Sequence, residues 1–177
     1  PFEKLNGRPL IYGSLGTLQS KDSHYFRMMA EACAGLDAQL VLSLGTLERT
    51  SIPELPGRPL VVNYAPQIEL LSRATVTITH AGMNTTQQSL YFGVPMIAIP
   101  LSHDQPAIGA RLARTGAGIV IPPRQLTPER LRTALQRLLA PDNSYRTRAQ
   151  CMQVASRQAG GLNRAADIIQ AMPKRNR

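Results

Sequence analysis

The strongest constraint on this chain is a repeated change of period. Short apolar runs each end in a small or polar cluster, and a helical pattern follows. Residues 8–15 read as a buried strand ending in Gly13-Ser14-Leu15-Gly16-Thr17. Residues 22–35 then place Phe26, Met29, Ala30 and Cys33 at helical spacing on one face. Residues 38–44 form a second strand closed by Gly45-Thr46, and a polar, proline-rich loop runs on to Pro59. Residues 60–63 are a short third strand, and 68–71 amount to at most one helical turn. Residues 75–79 and 95–99 are the fourth and fifth strands, with Pro95 at a first strand position, where a missing donor costs least. Between them lies a helix over 83–92, ended by Gly93. A helix over 107–115 and a sixth strand over 118–121 complete the alternation. Apolar strands alternating with helices predict a parallel sheet covered on both faces.

The remaining chain is predicted helical. Thr127 precedes Pro128 and Glu129 as an N-cap with proline at the first helical position. Leu131, Ala134, Leu135, Leu138 and Leu139 line the helix behind it, which Pro141 stops. A helix over 144–157 follows. After the break at Gly160-Gly161, the last helix carries Leu162, Ala165, Ala166 and Ile169 on one face, and residues 174–177 are expected to fray. The expected architecture is a single α/β domain over 1–177: a doubly wound, Rossmann-like parallel sheet with a helical tail over 127–172. A start at Pro1 rather than Met suggests a piece of a longer protein.

Composition narrows the class. With 43% hydrophobic and 18% charged residues and no Trp, the profile is that of a soluble globular chain with an aliphatic core. No apolar run approaches the roughly 20 residues that span a bilayer, and no signal-peptide pattern opens the chain. Cys33 and Cys151 fit no metal-ligand spacing and are expected to be small, mostly buried residues in a reducing, cytoplasmic setting. The net charge of +9 is uneven: residues 1–110 hold seven Lys/Arg against eight Asp/Glu, and 111–177 hold thirteen against three. The aromatic interleaving of a single-strand nucleic-acid binder is absent, so nucleic acid is not an expected partner. A weak contact with an anionic membrane surface stays open.

Ligands of open α/β sheets bind beyond the carboxyl ends of the strands, which directs attention to three clusters. After the first strand, Gly13 and Gly16 allow tight turning and close approach, and Ser14 and Thr17 offer hydroxyls. The loop is neither the dinucleotide fingerprint nor a P-loop, and by itself it also reads as an ordinary turn. After the fourth strand comes His80-Ala81-Gly82-Met83-Asn84-Thr85-Thr86, where strand passes into helix. A glycine beside free helix N–H groups suits an anion such as phosphate; the alternative is a capped helix beside a satisfied histidine. After the fifth strand, Asp104 and Gln105 can cap the next helix or hold sugar hydroxyls.

The stretch 64–110, YAPQIELLSRATVTITHAGMNTTQQSLYFGVPMIAIPLSHDQPAIGA, resembles the donor-binding signature of the UDP-glycosyltransferase family, including macrolide, glycopeptide and carotenoid glycosyltransferases. That pattern runs W-A-P-Q, H-x-G-x-N-S/T, E, G-V-P and D-Q, and the loop at residues 13–17 is similar to the one that begins the family's C-terminal domain. The resemblance implies the C-terminal half of a two-domain GT-B fold and inverting hexosyl transfer from a nucleotide diphosphate sugar such as UDP-glucose, without cofactor or metal. It implies that Tyr64, in place of the family's Trp, stacks on the base, that Ala65 meets the base edge and that Gln67 faces the ribose. His80, Gly82, Asn84 and Thr85 would hold the diphosphate, with Ser14, Gly16 and Thr17 opposite. Asp104 and Gln105 would hold the sugar.

Gln88 stands where the family has a ribose-binding Glu. An amide makes a weaker and less symmetric pair with a diol than a carboxylate does, which leaves UDP and dTDP donors, or relaxed donor use, open. The acceptor pocket and the catalytic base belong, by the same resemblance, to an N-terminal domain absent from these residues, and His24 reads as a surface residue. The acceptor would be a small hydroxyl compound, lipid-like or polyphenolic. The alternatives are an epimerase or peptidoglycan-precursor transferase on the same fold, or a non-catalytic nucleotide-binding module.

Overall fold

The computed structural model describes residues 2–16, 23–47 and 54–172. Thr17, positions 48–53 of the long loop, and the terminal residues 174–177 lie outside them, as does Asp22, the expected first residue of the first helix. Six strands, β1 (Leu10–Ser14), β2 (Gln39–Ser43), β3 (Leu60–Val62), β4 (Val76–Thr79), β5 (Met96–Ala98) and β6 (Gly118–Val120), form one sheet in the order β3-β2-β1-β4-β5-β6, with every pairing parallel. This is the doubly wound order, in which the chain reverses direction across the sheet between β1 and β4.

Alternation along each strand divides the core into two faces. Ile11, Leu40, Leu42, Val76, Ile78 and Ile97 point to one face, where α1 (Ser23–Cys33) and α5 (Pro128–Leu139) pack against each other and the sheet. Phe26, Met29, Leu131 and Leu135 supply the buried sides of these helices. The Arg132 guanidinium bonds the carbonyls of Glu31 and Ala34 and so serves the otherwise open C-terminal end of α1. On the opposite face, Met96 and Ala98 lie under α4 (Gln105–Thr115) and α6 (Ser144–Gln158), which also packs on α3 (Met83–Tyr91). Leu10, Tyr12 and Val41 lie under the short α2 (Gln67–Leu71) through Leu70 and Leu71.

Three expectations are corrected. The segment over 127–172 is not a tail as a whole, because α5 and α6 are layers of the domain; Leu131, Leu135, Leu138 and Ala149 are fully enclosed. Only α7 (Gly161–Ala171) stands apart, with no buried residue, and Leu162 is 89% exposed. Gly160 and Gly161, at φ of 82° and 49°, turn the chain away from the helical layer before its apolar face can be used. Cys151 is exposed, whereas Cys33 is buried. α4 begins at Gln105, two residues earlier than the pattern suggested, because Asp104 is already helical in conformation and Pro106 is tolerated in the first turn.

Candidate functional site

The reversal between β1 and β4 opens a crevice at the carboxyl end of the sheet. There Ser14 lies opposite Thr79 in register, and each strand leads at once into a loop with a left-handed residue: Gly16 after β1 and Ala81 after β4, at φ of 72° and 64°. A cavity of about 820 Å³ fills this crevice, a size ordinary for a small-molecule site. Segments at the ends of five strands line it: Ser14 and Gly16, Ser43 and Gly45, Tyr64 to Glu69, His80 with Gly82 to Thr85, and His103 to Gln105. Of the residues expected to bind, all those described are in this lining; Thr17 alone lies outside the described residues.

The α3 terminus is the electrostatic centre. Gly82 is the N-cap, and no side chain caps the helix, so its first N–H groups and the positive end of its dipole are available to an anion. The His80 ring lies between two glycines. A Cβ on Gly16 would come within 2.7 Å of His80 Cε1, and one on Gly82 would collide with Nε2. Both positions therefore need glycine to admit the imidazole, and Gly16 needs it also for its backbone. Burial pushes the His80 pKa below the usual imidazole range, while the Ser14 backbone and the Asp104 charge pull in the other direction. His80 Nδ1 is buried with no hydrogen bond of normal geometry.

At the α2 end, Tyr64 is 85% exposed and Ala65 is buried beside it. An exposed aromatic face at a pocket rim is able to stack on a planar group. Behind it the polar side chains form a chain. Tyr12 Oη donates to Gln67 Oε1 at 3.1 Å, Thr85 Oγ1 approaches the same oxygen at 3.5 Å, and Gln67 Nε2 donates to Gln88 Oε1 at 2.5 Å. Gln67 and Gln88 thus face each other across the pocket floor. Burial raises the Tyr12 pKa, offset in part by the Ser14 and Ser43 hydroxyls, so the phenol remains a neutral donor at neutral pH.

At the α4 end, two neighbours have different tasks. Gln105 is buried, and its Oε1 accepts from the backbone N–H groups of Leu101 and Ser102, at 2.8 and 2.9 Å. Its carbonyl fastens the loop, which leaves the amide nitrogen as its free polar group. Asp104 occupies the N-cap position of α4 but makes no capping bond. Its exposed carboxylate lines the pocket instead. The left-handed His103, at φ 56°, precedes it, and its Nδ1 lies 2.6 Å from Ser102 Oγ. Ser14 also has a structural bond: its Oγ accepts from Gly16 N–H at 3.3 Å.

The sequence reading missed Tyr12, Ser43 and Gly45. The last two follow the second strand, so the same search beyond strand ends would have found them. Tyr12 carried no such signal, because it lies within an apolar strand and reads as core. Among the described residues no group of three or more His, Cys, Asp or Glu is placed to hold a metal ion, and no helix is long and apolar enough to cross a membrane. His24 lies on the exposed side of α1, away from the pocket lining.

Comparison with known proteins agrees with this geometry. Residues 27–161 match the family model described as erythromycin biosynthesis protein CIII-like, C-terminal domain. The chain is 33% identical over 170 residues to an uncharacterized UDP-glucosyltransferase, YojK, of Bacillus subtilis (strain 168), covering 96% of this chain and 42% of that protein. It is 36% identical over 166 residues to the zeaxanthin glucosyltransferase of Pantoea ananas, covering 92% and 38% respectively. The crystal structure of the glycotransferase of kitacinnamycin superposes with a TM-score of 0.83 at 34% identity, over 92% of this chain and 42% of that one. The chain therefore spans about two-fifths of the length of these relatives. A doubly wound sheet with its pocket at the strand reversal, matched across most of its length to the same half of such proteins, belongs to the erythromycin biosynthesis protein CIII-like C-terminal domain family of glycosyltransferases.

Proposed function

We propose that residues 1–177 form the donor-binding domain of an inverting hexosyltransferase that uses a UDP- or dTDP-sugar, UDP-glucose being the simplest candidate. The observation that carries this reading is the uncapped, glycine-started α3 opening beside His80 into the switch-point cavity. A nucleoside diphosphate sugar has its base, pentose, diphosphate and sugar in a line, and the pocket has a matching series. Tyr64 and Ala65 take the base, and Gln67 and Gln88 the pentose. The start of α3 with His80, Gly82, Asn84 and Thr85, faced by Ser14 and Gly16, takes the diphosphate. Asp104 and the Gln105 amide nitrogen take the sugar hydroxyls.

In the reaction an acceptor oxygen forms a bond to the anomeric carbon as the bond from that carbon to the diphosphate oxygen breaks. The acceptor proton passes to a base on an N-terminal acceptor-binding domain of the same parent chain. The helix N–H groups and His80 stabilise the charge that develops on the departing diphosphate. Placing that charge on helix N–H groups requires no metal ion in this reading. The acceptor is a small hydroxyl compound, with a lipid-like one compatible with the basic last third of the chain. A cytoplasmic setting fits two free cysteines, one of them exposed.

Calorimetry of the 177-residue chain with UDP, dTDP and their glucose conjugates tests the reading. Binding of at least one nucleotide is expected, and silence at millimolar ligand overturns it. Asp104→Ala is expected to leave nucleotide binding intact and to remove the added affinity of the sugar conjugate. Equal conjugate affinity before and after the change would refute the sugar-holding role.

A further inference from the structure

The Gln67–Gln88 contact has a direction. Gln67 spends its carbonyl on the Tyr12 and Thr85 hydroxyls and one amide hydrogen on Gln88. Gln88 spends its carbonyl on Gln67, and its Nε2 makes no hydrogen bond among the described residues. The pocket is therefore shown an N–H donor at residue 88. Reversing the pair would present a carbonyl there instead, and hydrogen bonding between two amides alone does not choose between these arrangements. The choice needs a third group. Tyr12 is 1% exposed, fixed in β1 and neutral. Its Oη lies 3.1 Å from Gln67 Oε1, an atom that only accepts, so its own single proton goes to Gln67.

We propose that Tyr12 is a positioning residue that sets the polarity of the Gln67–Gln88 pair, so that this pocket gains little from the 2′-hydroxyl of a nucleoside diphosphate. The inference rests on the donor-site reading, which places the pentose between the Tyr64 plate and the α3 terminus. A carboxylate at residue 88 would accept from Gln67 with one oxygen and from a pentose hydroxyl with the other, in a charge-assisted bond. The amide instead offers an N–H, which any pentose oxygen can accept, including those that a 2′-deoxy pentose retains. The advantage of ribose over deoxyribose is thereby lost, and deoxynucleotide donors bind on nearly equal terms.

The test is titration calorimetry of the whole chain with UDP and 2′-deoxy-UDP, which share base and diphosphate and differ by one hydroxyl. The two dissociation constants are expected to agree within about threefold. Gln88→Glu is expected to favour UDP by about tenfold. Tyr12→Phe keeps the packed ring, leaves only the longer 3.5 Å contact from Thr85 Oγ1 to hold the orientation of the pair, and should move the ratio several-fold toward UDP. In the Gln88→Glu background Tyr12→Phe should leave the ratio unchanged, because a carboxylate has the same atom at both ends. Each ratio is internal to one variant, so partial loss of folded protein cancels. A tenfold preference of the unaltered chain for UDP, or a ratio that Tyr12→Phe does not move, overturns the proposal while leaving the donor site standing. No binding of either nucleotide overturns the donor site itself.

Discussion

Three helix starts in this molecule are built in two ways. α5 begins with Thr127, whose side chain accepts from Arg130 N–H at 3.2 Å, and α6 begins with Asn143, which accepts from Arg146 N–H at 2.8 Å. α3 begins with Gly82 and has no side-chain cap, beside a half-buried histidine and after the left-handed Ala81. A side-chain cap satisfies an orphan N–H and stabilises a helix by about 1 kcal/mol. The α3 start forgoes that stabilisation and also holds a strained, fully buried residue. α5 and α6 are closed by side chains, whereas α3 is not, and neither are α2 and α4, whose first residues also line the pocket.

The comparison breaks most sharply if α3 is made to resemble the others. Gly82→Ser supplies a capping hydroxyl, but its Cβ meets the His80 ring. Diphosphate affinity is expected to fall about a hundredfold by calorimetry, and the overpacking should separately destabilise the fold by roughly 1–3 kcal/mol. Retained affinity would show that the open helix start is not where the anion sits. Removing the aromatic plate is the next largest change. Tyr64→Ala should weaken nucleotide binding by about 1–2 kcal/mol, within the range for base–aromatic stacks. Because the side chain is so exposed, the melting temperature should hardly move.

The capped starts should behave in the opposite way. Thr127→Ala and Asn143→Ala should each cost about 1 kcal/mol in denaturant unfolding and leave nucleotide affinity unchanged. A fourth difference is visible in pH. In the free protein burial holds His80 below the ordinary imidazole value of about 6.5, so the unfolded chain takes up its proton first. The contribution is fully present above that value and is lost as pH falls through the lower folded value. His80→Ala should flatten this part of the stability–pH curve. A bound diphosphate favours the imidazolium, so binding should take up a fraction of a proton near neutral pH, read from calorimetry in buffers of different ionisation enthalpy. The smallest effect separates the cysteines. A thiol reagent should label exposed Cys151 and spare Cys33, whose thiol burial pushes up to about 12.

Much of this was legible in the residues. The six strands and the helices after them follow from period, and Thr127 and Gly93 mark a helix start and a helix end by their chemistry. The sheet-end rule alone brings Ser14, His80 and Asp104 to one place. Periodicity was less informative where the partner mattered. Leu162, Ala165, Ala166 and Ile169 have the spacing of a buried face, yet nothing among the described residues covers them. An amphipathic pattern records that a helix has an apolar side and says nothing of what lies against it.

The sequence by itself determined the element order, the glycines beside the anion site and the residue types at each strand end. These are local properties, set by side-chain period, backbone freedom and helix-terminus chemistry. Only the tertiary structure decided that Tyr12, in the middle of an apolar strand, reaches across 55 positions to Gln67. It also decided that Gln105 spends its carbonyl on the backbone and that Asp104 leaves its helix uncapped. Whether a polar group faces a ligand or serves the fold depends on which partners the packed chain brings within about 3 Å. No local pattern records that distance.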